Sequence, residues 1–267
     1  MKNKELFSLH GKVALVTGAA RGFGKFFSIA MAEAGADLVC ADKDGKMLLE
    51  TVHLVENLGQ SVLGVEADVS DPENVEKLAD QILKKFNKLD IAVNNAGIIH
   101  KPYSFHNIPL DEWQRVIAVD LSGVFLCMQK EIRIMIKQNR GSIINIASVA
   151  GLIGSGPSLM PRASYVAAKH GVIGLTKQAA LEYAQNGIRV NVIAPGWFEG
   201  TDITRERLSN QKIEISKERD QKVIELTPMK RRGQLAELKG ILLYLASNAS
   251  SFTTGQTFVI DGGWTAQ

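Results

Sequence analysis

The stretch Thr17-Gly18-Ala19-Ala20-Arg21-Gly22-Phe23-Gly24 joins an apolar, strand-like run, Lys12–Thr17, to an amphipathic, helix-like one, Gly22–Ala34. Glycine at 18, 22 and 24 permits a tight turn, close backbone approach to a diphosphate, and close packing of helix on strand. The helix N-terminus that follows offers unpaired N–H donors to an anion. Three glycines alone say little. With a strand before them and a helix after them they read as a dinucleotide-binding turn, and Arg21 and Phe23 inside the turn are counted with it.

The same alternation continues along the chain. Strand candidates are Lys12–Thr17, Asp37–Ala41, Ser61–Glu66, Ile91–Asn94, Ser142–Ile146, Arg189–Ile193 and Thr257–Ile260. Helix candidates are Gly22–Ala34, Gly45–Leu58, Pro72–Phe86, Leu110–Lys137, Arg162–Ala184 and Leu235–Ala246. Strands apolar on both faces and separated by helices pair in parallel through βαβ crossovers. The expected fold is α/β: one domain over 1–267, a doubly wound and mostly parallel sheet of seven strands with helices on both faces. Asp71-Pro72-Glu73 supplies an N-cap followed by a proline at the first helical position, and Gly35 and Gly59 are placed to end the first two helices. One segment breaks the pattern. Residues 197–227 follow a strand yet carry Arg205, Glu206, Arg207, Lys212, Glu214, Lys217, Glu218 and Arg219. They form either a lid over a ligand site or a plain solvated helical pair.

Composition bounds the rest. At 45% hydrophobic and 22% charged, with 24 Gly and 7 Pro, the chain is neither disordered nor collagen-like. A chain of 267 residues buries enough surface to need no disulfide or metal for its core, and none is expected. The formal charge of +3 is too small to imply nucleic acid as a partner. Cys40 and Cys127 lie in apolar runs and read as buried thiols. No apolar run has membrane-spanning length and no signal peptide is recognisable at Met1-Lys2-Asn3-Lys4-Glu5, so a cytoplasmic protein without membrane contact is expected.

The second strand ends at Asp42, 24 residues after Gly18, where a carboxylate accepts hydrogen bonds from an adenosine ribose. A 2′-phosphate there would meet like charge, at roughly 4 kcal/mol per unit pair for about 4 Å and an effective dielectric near 20. The expected cofactor is therefore NAD rather than NADP. Lys43 argues the other way, and Asp42 could instead serve only as a helix N-cap.

Further motifs come in a fixed order: Asp68-Val69, Asn94-Asn95-Ala96-Gly97, Ser148, Tyr165-Val166-Ala167-Ala168-Lys169, Pro195-Gly196, and the ending Thr254-Gly255-Gln256 with Asp261-Gly262-Gly263. Together with the glycine turn, this set resembles the classical short-chain dehydrogenase/reductase family over residues 11–264. The resemblance implies a Rossmann fold in which Asp68 and Val69 flank the adenine and Asn95 touches the cofactor. It also implies that Pro195 to Thr201 covers the nicotinamide side, with Pro195, Gly196, Phe198 and Thr201 as contacts. Gly200 makes that segment one residue longer than the usual pattern.

Tyr165 and Lys169, four apart on an expected helix, share one face. A tyrosine hydroxyl ordinarily titrates near 10, and an ammonium a few ångströms away supplies about the 3–4 kcal/mol needed to bring its phenolate toward neutral pH. Tyr165 then acts as general base for alcohol oxidation and general acid for ketone reduction. By resemblance Ser148 hydrogen-bonds the reacting oxygen and Lys169 also binds the nicotinamide ribose.

Two departures stand out. Where the family usually has a fourth catalytic residue, Asn, this chain has Asp120, within Val119-Asp120-Leu121. An ionised aspartate accepts hydrogen bonds but cannot donate them. It either holds a relay water and favours Lys169 as ammonium, or is a helix-kinking polar residue without a proton role. The gap from Ser148 to Tyr165 is also about four residues longer than the family norm, and the surplus falls in the turn-rich loop 154–162.

His100, Lys101, Arg162, Trp197, Arg205 and Arg207 are expected at the carboxyl edge of the sheet, where cations suit a carboxylate or polyhydroxylated ligand. Asn95-Ala96-Gly97-Ile98-Ile99-His100 and Thr227-Pro228-Met229-Lys230-Arg231-Arg232-Gly233 resemble the gluconate and sugar-acid dehydrogenase branch. A sugar acid, sugar or polyol is thus placed ahead of 3-oxoacyl thioesters and steroid-like alcohols. The family also implies a homotetramer. A non-enzymatic NAD-binding sensor or scaffold would be expected to lack Tyr165 or Lys169, and a nucleic-acid role would rest only on Lys230-Arg231-Arg232.

Overall fold

A computed structural model of the chain describes residues 6–101, 103–154, 162–200 and 213–267, without the side chains of 213–219. The seven apolar runs form β1 (Val13–Thr17), β2 (Asp37–Asp42), β3 (Val62–Glu66), β4 (Ile91–Asn94), β5 (Gly141–Ile146), β6 (Ile188–Pro195) and β7 (Thr257–Ile260). They make one sheet in the order β3-β2-β1-β4-β5-β6-β7, and each neighbouring pair is parallel. The chain winds outward from β1 in one direction and from β4 in the other. The two strands therefore part at their carboxyl ends, where a crevice opens in sheets of this kind.

Crossovers are made by α1 (Gly22–Glu33), α2 (Gly45–Asn57), α3 (Pro72–Phe86), α4 (Leu110–Ile117), α5 (Gly123–Gln138), α6 (Ala163–Tyr183), α7 (Ile213–Leu226) and α8 (Lys239–Ala246). Every residue of β1 and β4 is buried, which explains runs apolar on both faces. Alternate side chains feed two cores. Leu15, Val39 and Ile143 meet Leu78, Ile82, Met135 and Val172 on one face; Val16, Leu38 and Ile144 meet Phe27, Met31, Leu242 and Leu245 on the other. Asp71 Oδ1 caps α3 by accepting from Glu73 N at 2.9 Å. Gly35 and Gly59 follow α1 and α2 in the left-handed region, at φ +97° and +81°.

Three elements differ from the sequence expectation. The single helix expected over 110–137 is split: Ala118–Ser122 between α4 and α5 form a π turn, which carries Asp120. The helix expected over 235–246 opens as a 3₁₀ turn, Leu235–Leu238, closed by a capping box of Gln234 and Glu237. Within 197–227 the chain forms α7, while residues 201–212, and residues 155–161 of the long loop, lie outside the described residues. Among the described residues no helix is long and apolar enough to cross a membrane.

Candidate active site

The glycine turn leaves β1 beside the end of β4, and Thr17 and Asn95 tie the two together. Thr17 Oγ1 accepts from Asn95 N at 3.0 Å and Ala96 N at 3.1 Å, while Asn95 Nδ2 donates to Thr17 O at 2.9 Å and Gly18 O at 3.2 Å. Gly18 has φ +65°, and a Cβ on it would stand 2.9 Å from Ala96 Cα. A Cβ on Gly24 would overlap the Gly18 carbonyl oxygen, so helix and turn touch backbone to backbone. Gly22, at φ +53°, has open space where its Cβ would be. The helix that starts there has no side-chain cap on its N-terminus and no acidic residue in its first turn. A tight turn, a space above Gly22 and an uncapped helix start fit a diphosphate.

Asp42 is half-buried, with both oxygens held by backbone. Oδ2 accepts from Ala20 N and Oδ1 from Asp44 N, each at 3.0 Å. It does not cap α2; that place belongs to Asp44, whose Oδ1 accepts from Met47 N. Glu66 stands opposite Asp42 in the β2–β3 register, and its carboxylate lies against Gly45 at the start of α2. Asp68 Oδ1 accepts from Ser70 N at 2.9 Å and Ser70 Oγ at 2.6 Å, and Val69 is buried against Gly123.

Phe23 and Phe198 are brought together, but in the core. Their rings meet edge to face at 5.6 Å, and Phe198 fills the space beside Gly233 that a Cβ there would need. Pro195 ends β6 and Gly196 lies hard against Asp261, where a Cβ would stand 2.8 Å away. Thr201 lies outside the described residues.

Tyr165, Lys169 and Asp120 form one cluster. Lys169 Nζ lies 5.5 Å from the centre of the Tyr165 ring, donates to Ile146 O at 3.1 Å and faces Asp120 Oδ2 at 3.3 Å. Asp120 Oδ1 accepts from Ile98 N at 2.8 Å. The wide π turn presents Asp120 inward, fully buried, and Lys169 is 3% exposed. Burial pushes the Asp120 carboxyl up and the Lys169 charge pulls it back. Burial likewise works against the Lys169 ammonium, but Asp120 and Tyr165 outweigh it and hold it above its ordinary value. Ser148 follows β5 in extended conformation and its Oγ accepts from Ala150 N at 3.2 Å. The turn it starts rests on α6, since a Cβ on Gly151 would stand 2.7 Å from Lys169 O.

Of the residues expected at the substrate mouth, His100 and Arg162 are buried and Lys101 is exposed; Arg205 and Arg207 lie outside the described residues. Arg232, in the basic run 230–232, is buried: Nη2 reaches Asp220 Oδ1 on α7 at 2.5 Å, and its guanidinium lies 6.0 Å from the Trp197 ring. Arg231 pairs with Glu237 at 2.7 Å and Lys230 Nζ donates to Glu225 O at 2.6 Å, both at the surface, so only Arg232 of this run is taken into the fold. Sequence reading gave no site role to Thr17 or the Ile146 carbonyl, and took Arg232 only as part of the 227–233 motif and the basic run 230–232. Only Thr17 carried a signal, a polar residue closing an apolar strand at the glycine turn. Among the described residues no group of three or more His, Cys, Asp or Glu could hold a metal ion.

Known proteins resemble this chain over nearly its whole length. Residues 18–265 match a family model described as enoyl-(acyl carrier protein) reductase. A 3-oxoacyl-[acyl-carrier-protein] reductase of Synechocystis sp. is 40% identical over 259 residues, covering 96% of this chain and 98% of the relative. A 2-dehydro-3-deoxy-D-gluconate 5-dehydrogenase of Bacillus subtilis is 38% identical over 260 residues, covering 97% of each. A gluconate 5-dehydrogenase of Burkholderia cenocepacia, solved with NADP and tartrate, superimposes with TM-score 0.89 at 34% identity and covers 99% of both chains. With sugar-acid dehydrogenases among its relatives, the chain is an oxidoreductase of the classical short-chain dehydrogenase/reductase family.

Proposed function

We propose that the chain is an NAD(H)-dependent dehydrogenase acting on CH–OH, interconverting a secondary alcohol and a ketone on a sugar acid, sugar or polyol. The observation that carries this reading is the cluster of half-buried Tyr165 with buried Lys169 and Asp120, at the carboxyl edge of the sheet that holds the glycine turn. A bound nicotinamide cofactor supplies hydride for ketone reduction and accepts it in alcohol oxidation. The chain's own residues handle the proton and the oxygen. Ser148 Oγ hydrogen-bonds the reacting oxygen, Tyr165 Oη delivers or removes its proton, and Lys169 keeps a positive charge beside Tyr165. Gly18, Arg21, Gly22 and Gly24 cradle the diphosphate, Asp68 and Val69 flank the adenine, Asn95 touches the cofactor, and Pro195 to Thr201 cover the nicotinamide. In this reading the whole chain works as one domain in the cytoplasm, with 197–227 as its lid.

Asp42, with Glu66 opposite it, supports NAD over NADP. The Burkholderia relative was solved with NADP, so the NAD assignment rests on this chain's own residues and not on that likeness. A second reading, a 3-oxoacyl-thioester reductase, is favoured by the Synechocystis relative. Exposed Leu110 on α4, Phe125 on α5 and Leu181 on α6 support a homotetramer, which light scattering should register as four copies of 29.1 kDa. The test is a panel of sugar acids, polyols, 3-hydroxyacyl esters and hydroxysteroids with NAD and NADP, followed at the absorbance of the reduced nicotinamide. Higher kcat/KM with NAD and a polyol or sugar acid is expected; an NADP preference refutes the cofactor assignment. Tyr165→Phe should abolish turnover and leave NADH binding intact.

A further inference from the structure

We propose that the Asp120 carboxylate, acting through Lys169, keeps Tyr165 protonated to higher pH than an amide in its place would, and so biases the enzyme toward ketone reduction at neutral pH. This deepens the reading of Tyr165 as the proton-transfer group and rests on it. The argument is one of charge count in a buried place. Asp120 is fully buried, Lys169 nearly so, and the two stand 3.3 Å apart, so ammonium and carboxylate neutralise each other. With Tyr165 as neutral phenol the cluster carries no net charge; as phenolate it carries one uncompensated negative charge. An amide at 120 reverses the count, because the lone ammonium then gains by having a phenolate beside it.

The charged and titratable groups facing Asp120 leave this count standing. Among the described residues, Lys169 and, beyond it, Tyr165 come from α6; Arg115, already paired with Glu112 at 2.7 Å, comes from α4; and the chain after β4 brings the Ile98 N–H. Reduction needs the Tyr165 O–H, whose proton passes from Oη to the carbonyl-derived oxygen. Oxidation needs the phenolate, which takes the alcohol proton. Asp120 touches neither substrate oxygen nor Tyr165 Oη in this scheme and works as a positioning residue whose charge is felt through Lys169.

The test titrates the cofactor-free protein at 295 nm, with Tyr165→Phe as the reference that removes the signals of Tyr103, Tyr183 and Tyr244. Asp120→Asn should move the Tyr165 inflection down by about 1 pH unit. The acidic limb of kcat/KM for alcohol oxidation should move the same way. Asp120→Ser, which also removes the charge without placing an amide against Lys169, should shift both readouts in the same direction and serves if the Asn variant does not fold. An inflection that stays put or rises in the folded variants overturns the inference. The underlying reading fails separately, through a Tyr165→Phe protein that still turns over.

Discussion

Glu131 on α5 is buried, and its Oε2 accepts from Asn94 Nδ2 at 3.0 Å. The same Nδ2 reaches Asn145 Oδ1 at 2.9 Å, and Asn145 Nδ2 continues to Thr176 Oγ1 at 2.8 Å, so a polar chain crosses the core beneath the candidate site. Burial pushes the Glu131 carboxyl up to about 8, against the pull of the Asn94 hydrogen bond. A protonated Glu131 supplies an O–H, and Asn94 Oδ1 is a buried acceptor with no hydrogen-bond donor among the described residues. The folded state thus holds this proton more tightly than the unfolded chain does. The stabilisation is complete below the ordinary glutamate value of 4.5 and is lost as pH rises through about 8. Glu131→Gln keeps an acceptor for Asn94 Nδ2, adds a permanent donor and has nothing to ionise. Its Tm should match the parent near pH 5 and exceed it by roughly 5 °C at pH 8.5. A Tm difference that does not grow with pH, followed by thermal melts across that range, would show that Glu131 is ionised in the fold. No sequence pattern announces this residue, because Glu131 reads as one more polar position on an amphipathic helix and its burial is set by β4 and β5 packing against it.

At the scale of elements, the glycine turn separates two demands that its sequence merges. Gly24 is needed for space, since a Cβ there overlaps the Gly18 carbonyl oxygen, a backbone atom that cannot step aside. Gly22 is needed for its backbone, since its φ is +53° and its Cβ position is open. Gly24→Ala should therefore lower the urea midpoint strongly, by about 3 kcal/mol in unfolding free energy. Gly22→Ala should cost only about 1 kcal/mol yet weaken NADH binding at least tenfold, as read by nicotinamide fluorescence, because the added methyl enters the space assigned to the diphosphate. Equal stability losses for the two would refute this division. The turn was legible in sequence because strand, glycines and helix follow one another within a dozen residues, so local chemistry settles its form. The π turn at Ala118–Ser122 was not. The apolar spacing on either side of it fits one continuous helix over 110–137, and the extra residue that turns Asp120 inward is fixed by the Ile98 N–H and Lys169, which arrive from β4 and α6. Asp42 likewise could be read as a ligand or as a cap, and only the third dimension gives the cap to Asp44.

The whole molecule divides into two edges, and the sequence pattern already contained that division. Parallel strands put all the loops after β1, β2, β4, β5 and β6 at the carboxyl edge, where the glycine turn, Asp42, Asn95, Ser148 and Pro195 gather. The amino edge has its own charge cluster, built from residues that precede strands. Asp90, 5% exposed, stands just before β4; its Oδ2 accepts from Val13 N at 3.0 Å and faces Lys88 at 3.1 Å, while its Oδ1 faces Arg140 at 3.4 Å and Lys12 at 3.6 Å. One carboxylate thus joins the starts of β1, β4 and β5. Sequence reading gave Asp90 no role, because its three cations lie far apart in the chain and meet only when the sheet is assembled. Asp90→Ala leaves Val13 N without its acceptor and three cations without their shared anion, a loss of about 2–3 kcal/mol by the cost of breaking a partly buried network. Since the candidate chemistry lies at the opposite ends of the same strands, kcat/KM and NADH affinity measured well below the new Tm should stay within twofold of the parent. Unfolding in urea should show the lower midpoint with an unchanged slope. Were catalysis to fall along with stability, the strands would be transmitting strain from the amino edge to Asp120 and Lys169, and the two edges could not be treated as independent.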